Sequence, residues 1–136
     1  MGRIMAADVG HKRTGIAVSD ELQISTRPLT TLNHTSQEEL LNQLLLLIKE
    51  YQAEALILGI PLHLDGEDAS QAAPIRELGK QLLTRGVIVN FEDESFSSQT
   101  AQRLQHGDKF VKKTERAIDA MAAKVILDRF LLRKQG

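Results

Sequence analysis

The apolar run from Ile4 to Ala7 ends in Asp8, a polar tip of Gly10, His11, Lys12 and Arg13 follows, and the chain turns apolar again from Gly15 to Val18. Two short runs flanking a glycine-containing tip predict a β-hairpin whose first strand ends in an acid. The next stretch, STRPLTTL, alternates weakly and contains Pro28; proline cannot donate to a ladder, so this predicts a short edge strand. At Ser36 the period changes. Ser36 and Glu39 form a capping-box pattern, and Leu40, Leu41, Leu44, Leu45, Ile48 and Tyr51 recur at helical spacing. EALILGIP is then apolar almost throughout and stops at Gly59 and Pro61, the pattern of a strand buried on both faces.

In the second half, LHLDGEDASQAA reads as a loop with a turn at Asp65 and Gly66, followed by a helix that Pro74 begins and Gly86 stops. VIVNFEDE predicts another strand. SFSSQTAQRLQHG supplies serine caps, a short helix and a terminating glycine, DKFVKK a basic connector, and a last helix runs from about Glu115 to about Leu132. Strands in the order β, β, β, α, β, α, β, α, α predict an α/β fold with a five-stranded mixed sheet flanked by helices. With 136 residues and a globular composition, residues 1–136 are expected to form one domain.

Charge and composition narrow the chemistry. A formal net charge of −1 supplies no global basic field, so nucleic-acid contacts would come from local clusters. The absence of cysteine excludes disulfides, thiolate catalysis and Cys-type zinc sites, and suits a reducing compartment. The longest apolar stretch, Leu44 to Ile48, is far short of the roughly 20 residues of a membrane span, and charged residues interrupt the place where a signal-peptide core would lie. A cytoplasmic protein is expected.

Three acids stand where chemistry is to be expected. Ligands of open α/β sheets gather beyond the carboxyl ends of strands, where Asp8 and the Glu92-Asp93-Glu94 group fall. Asp119 heads a helical face that continues through Ala122, Ala123, Ile126 and Phe130, which is expected to lie on the sheet; Asp128 falls on the other side as a solvated charge. Strand alternation puts Glu92 and Glu94 on one face and Asp93 on the other. Glu94 is the preferred third acid, Asp93 its alternative, and Glu92 an outer surface charge. Such a trio suits Mg²⁺ or Mn²⁺. The plain structural alternative is that Asp8 caps its turn and Asp119 pairs with Arg13 or Arg116.

The stretches DVGHKRTGIAVSD, LILGIPLHLDG, QAAPIRELGKQL, DESFSS and KKTERAIDAMAAKVIL occur in one order over nearly the whole chain. In this the sequence resembles the YqgF/RuvX family, described both as pre-16S rRNA nucleases and as Holliday-junction-resolvase-like proteins with an RNase H-like fold. The resemblance implies a metal-dependent nuclease with Asp8, the acid of the DE pair and Asp119 as its carboxylates. It implies processing of the 5′ end of the 16S ribosomal RNA precursor, with branched-DNA resolution and a non-catalytic RNA- or ribosome-binding module as alternatives. One departure is that Ser95 stands where the family pattern has arginine.

Phosphodiester hydrolysis fits these residues, since two metal ions about 4 Å apart activate water and stabilise the leaving oxygen without a histidine base. Lys12 and Arg13 beside Asp8, and Lys112 and Lys113 leading into the Asp119 helix, are candidate phosphate contacts flanking the site. His11, His34, His63 and His106 show no ligand spacing and are assigned surface or packing roles. Nucleic acid is therefore the expected partner, with the ribosomal particle as a further one, and the chain is expected to act as a monomer or weak dimer. A phosphate loop of the actin-like ATPase type would need a second domain for which this chain is too short.

Overall fold

A computed structural model describes residues 2–61, 67–93 and 111–135. The elements are β1 (Arg3–Val9), β2 (Arg13–Ser19), β3 (Thr26–Asn33), α1 (Gln37–Tyr51), β4 (Ala53–Ile60), α2 (Glu67–Thr84), β5 (Val89–Asp93) and α3 (Val111–Gln135). They build one five-stranded sheet of order β3-β2-β1-β4-β5. β1, β2 and β3 pair antiparallel, whereas β1–β4 and β4–β5 are parallel, which makes the sheet mixed.

Alternation along the strands divides the core in two. Met5, Ala7, Ile16, Val18, Leu56, Leu58 and Ile60 pack with the apolar faces of α1 and α2. Ile4, Ala6, Ala17 and Ile57 turn the other way, against Ala123, Ile126, Leu127 and Leu131 of α3. β4, apolar on both faces, lies inside the sheet between β1 and β5, and β3 with its Pro28 is an edge strand. The β2–β3 ladder shifts register between Ile16 and Ala17, just where Pro28 enters the pairing.

The helix ends follow local chemistry. Ser36 caps α1 by accepting from the Glu39 backbone N–H at 3.1 Å. The Glu39 carboxylate takes the Thr35 hydroxyl, at 3.3 Å, so only half of the capping box is used. Past the end of α2, Gly86 adopts φ +85°. Its N–H reaches Leu83 O at 3.1 Å and the Val87 N–H reaches Leu82 O at 3.1 Å, the paired bonds of a Schellman stop, for which a residue without Cβ is best suited.

Two boundaries differ from the sequence expectation. α2 starts at Glu67 rather than at Pro74, which lies inside the helix. The segment ahead of the proline, EDASQAA, carries acids and helix-forming alanines suited to a first turn, and these outweigh the preference of proline for the first helical position. α3 starts at Val111, so the end of the expected basic connector, including Lys112 and Lys113, is helical. The expected short helix within residues 95–107, the turn at Asp65 and Gly66, and His63 and His106 lie outside the described residues.

Candidate active site

Asp8 is the penultimate residue of β1 and shares its side of the strand with Ile4 and Ala6, the side covered by α3. Its cross-strand partner on β2 is Gly15. α3 crosses the sheet directly over this glycine. A Cβ built on Gly15 would lie 2.7 Å from the Ala120 backbone nitrogen and nearer still to the carbonyl of Asp119. Only a residue with no side chain lets the helix backbone come down here, and that contact seats Asp119 one strand away from Asp8 on the same face. The sequence placed Asp119 on a sheet-facing stripe, and Ala122, Ala123 and Ile126 on that stripe are buried.

Arg13 opens β2 on the same face, and its Nε donates to Asp119 Oδ2 at 2.7 Å. Both groups are partly exposed, so the pair is screened yet geometrically close. Of the two arginines considered for Asp119, Arg13 is the partner; the Arg116 carbonyl instead accepts from Thr31 Oγ1 at 2.7 Å. Lys12 is exposed at the hairpin tip, which is closed by a bond from the Gly10 N–H to Arg13 O of 2.9 Å. The basic groups of the tip therefore stand beside the carboxylate face.

β5 corrects the assignment of Glu92. It is 4% exposed, not an outer charge, and its Oε1 lies 2.7 Å from Arg133 Nη2 of α3. The two charges touch, but their orientation is not that of a hydrogen bond. Glu92 therefore faces α3, and alternation gives Asp93 the opposite side, that of Val89 and Phe91. Glu94, Ser95 and Lys109 lie outside the described residues, as do the side chains of Lys112 and Lys113. Among the described residues no three His, Cys, Asp or Glu side chains cluster as a metal site. Asp128 is also corrected: it is half-exposed, but it accepts from Thr26 Oγ1 on the edge strand and from Lys124 Nζ, the latter at 2.8 Å.

His34, given only a packing role from sequence, is 6% exposed. Its Nε2 lies 2.8 Å from Thr14 Oγ1, and its backbone N–H donates to Lys12 O at 3.0 Å, which ties the chain just past β3 to the hairpin tip. Burial holds the imidazole pKa below its usual value; nearby Glu39 works against this and His11 adds to it. No sequence signal distinguished it from the other histidines, because its contacts to Thr14 and Lys12 come from the hairpin some 20 positions earlier.

A mixed five-stranded sheet of order β3-β2-β1-β4-β5, with α3 laid across one face, defines an RNase H-like fold. The solved structure of T. thermophilus RuvC in complex with Holliday junction substrate superposes with a TM-score of 0.62 at 12% identity, over 100% of this chain and 97% of that one. A fowlpox virus resolvase with its substrate Holliday junction DNA gives 0.61 at 11% identity, over 98% and 99%. At such identities the likeness shows the fold.

Sequence carries the relationship further. The model of the RuvX family, described as Holliday junction resolvase, matches residues 2–133, and this chain belongs to that family. A relative from Roseiflexus sp. (strain RS-1) is 36% identical over 132 residues, covering 96% of this chain and 94% of its own. One from Lactococcus lactis subsp. cremoris (strain MG1363) is 35% identical over 133 residues, covering 95% and 93%. Both are provisionally named pre-16S rRNA nuclease. Among the described residues no helix is long and apolar enough to cross a membrane.

Proposed function

We propose that this chain is a divalent-metal-dependent nuclease that hydrolyses phosphodiester bonds in the 16S ribosomal RNA precursor, acting in the cytoplasm as a single domain on the 5′ end of that RNA. The observation that carries the reading is the seating of Asp119 on Gly15, across the ladder from Asp8. Two hard-oxygen donors on one face at a strand end suit a divalent cation of the Mg²⁺ or Mn²⁺ kind. Asp93, on the opposite side of β5, is disfavoured as the third donor, and Glu94 takes that role in the proposal. Asp8, Glu94 and Asp119 would hold the metal, which when bound supplies activation of water and stabilisation of the leaving oxygen.

The remaining work falls to the protein. Arg13 orients Asp119 through the 2.7 Å bond, so the carboxylate enters the reaction already aimed. Lys12 at the tip, with Lys112 and Lys113 in the first turn of α3, hold the sugar–phosphate backbone on either side of the carboxylates. These cations meet the backbone and read no base.

The test is incubation of wild type, Asp8→Asn and Asp119→Asn with precursor ribosomal RNA, plain single strands and a four-way junction, in Mg²⁺, Mn²⁺ or EDTA. The reading expects metal-dependent cleavage of the precursor by wild type, loss of cleavage in both variants, and unchanged melting. Cleavage by either variant removes that acid from the mechanism. Cleavage of the junction alone, in paired cuts, points to a dimeric resolvase instead.

A further inference from the structure

Asp8 faces α3, but the residue after it, Val9, faces the opposite side of the sheet, toward α1 and α2. On that side lies a cavity of about 630 Å³, bordered by Val9 and the hairpin tip, by Pro61 just past β4, by the start of α1 and by Pro74, Ile75 and Leu78 in the body of α2. It is at the carboxyl ends of β1 and β4, the two central parallel strands from which the chain leads to opposite edges of the sheet. Open α/β sheets place their ligands at such a point. Its volume is within the roughly 300–1,000 Å³ of pockets that hold single small ligands. One nucleotide fits that range and a duplex does not.

The lining narrows the occupant. Leu40, Ile75 and Leu78 make an aliphatic floor, and Pro61 and Pro74 add flat, rigid apolar walls. Gln37 Nε2 donates to Pro74 O at 2.9 Å, joining α1 to α2 at the lip. His11 and His34 bring the polar atoms. The Nε2 of His34 is engaged with Thr14, and its other ring nitrogen makes no hydrogen bond among the described residues. Among the described residues that line the cavity there is no lysine or arginine, and most of the lining is apolar. A flat heterocycle gripped by apolar walls, with its edge offered to imidazole and amide groups, matches it in shape and polarity.

Consecutive residues of β1 thus serve two sites, the carboxylate on one face and the cavity on the other, with Cα atoms about 3.8 Å apart. A polynucleotide crossing the strand ends at Gly10 would pass from one to the other. We infer that the cavity is a base-binding subsite, which receives one unpaired nucleobase flanking the phosphodiester presented to Asp8 and Asp119. The inference rests on the nuclease reading for its substrate class and deepens it: a base lodged there cannot pair, so the strand that is cut must be single-stranded or frayed next to the cut.

The experiment measures binding in EDTA, by fluorescence anisotropy, of a short end-labelled RNA and of a set in which one abasic site is moved along the strand. Wild type should lose about tenfold in affinity at one abasic position and little elsewhere, as expected when one base leaves an apolar pocket. Ile75→Phe, which fills the floor, should bind the intact RNA as wild type binds that abasic strand, and should no longer tell the two apart. Thr35→Trp, at the exposed rim, should do the same with unchanged melting, so misfolding of the first variant does not blur the outcome. An abasic scan that is flat in wild type, or folded variants that keep both affinity and discrimination, overturns the subsite. A separate cleavage assay in Mg²⁺ keeps the two readings apart. Position-dependent binding without cleavage sinks the nuclease and keeps the subsite; cleavage with a flat scan does the reverse.

Discussion

Gly15→Ala is the smallest change that should damage the site without touching a charged group. The added methyl would lie 2.7 Å from Ala120 N and closer to the Asp119 carbonyl. Non-bonded heavy atoms rest about 3.5–4.0 Å apart, so clearing the Asp119 carbonyl requires α3 to lift, or the strand to sink, by more than about 1 Å. The strand has little room, because its other face holds the buried Ile16 and Thr14. Overpacking of this kind costs roughly 1–3 kcal/mol. At about 2.1 cal/mol/K of melting entropy per residue, a chain of 136 residues loses about 3.5 °C for each kcal/mol, so the melting temperature should fall by roughly 4–10 °C. The same lift carries Asp119 away from Asp8, and a misplacement of 1 Å costs on the order of 10²-fold in rate. Calorimetry and single-turnover cleavage, run at a temperature where both proteins are folded, separate the two effects. An alanine variant with wild-type melting and wild-type cleavage would refute the claim that this contact sets the site.

Further outcomes follow from other contacts. Arg133→Ala leaves the Glu92 carboxylate buried without its partner and should cost about 1–2 kcal/mol after screening at the exposed arginine, with most of it recovered in Arg133→Ala/Glu92→Leu; thermal melts decide. His34 has its folded pKa below the unfolded value, so the unfolded chain binds the extra proton first. Stability is full above about pH 6.5 and falls as pH drops toward the folded pKa; His34→Gln should flatten that fall in melting temperature. Lys112→Ala with Lys113→Ala should weaken RNA binding and reduce its logarithmic salt slope by roughly 1.5–2 units. An unchanged slope returns these lysines to the solvent.

The readable parts of the sequence were those written in local period. The hairpin, the central apolar strand and the small-residue face behind Asp119 each repeat at the spacing of the element they form, so Asp8 and Asp119 could be placed before any contact was known. Glu92 could not, since an acid in a run of acids looks like surface until Arg133, far along the chain, comes to meet it. Pro74 misled because its preference for a helix start is a local rule, overridden by the helix-forming segment ahead of it. Gly15 was visible as a residue of the hairpin, but its function comes from a helix backbone more than a hundred positions away. The cavity was invisible for the same reason, being walled by four segments that no period connects.

The bond between Arg13 and Asp119 spans 106 positions, which has a consequence for the order of events in synthesis. Asp8 and the hairpin emerge first, because synthesis runs from the N-terminal end, and a domain folds as a unit only once its parts are made. The face that completes the carboxylate set arrives with the last helix. A chain made only as far as β5 therefore carries Asp8 without Asp119 and, on the reading proposed above, no finished site. On that reading, a fragment broken off before α3 would be harmless to RNA.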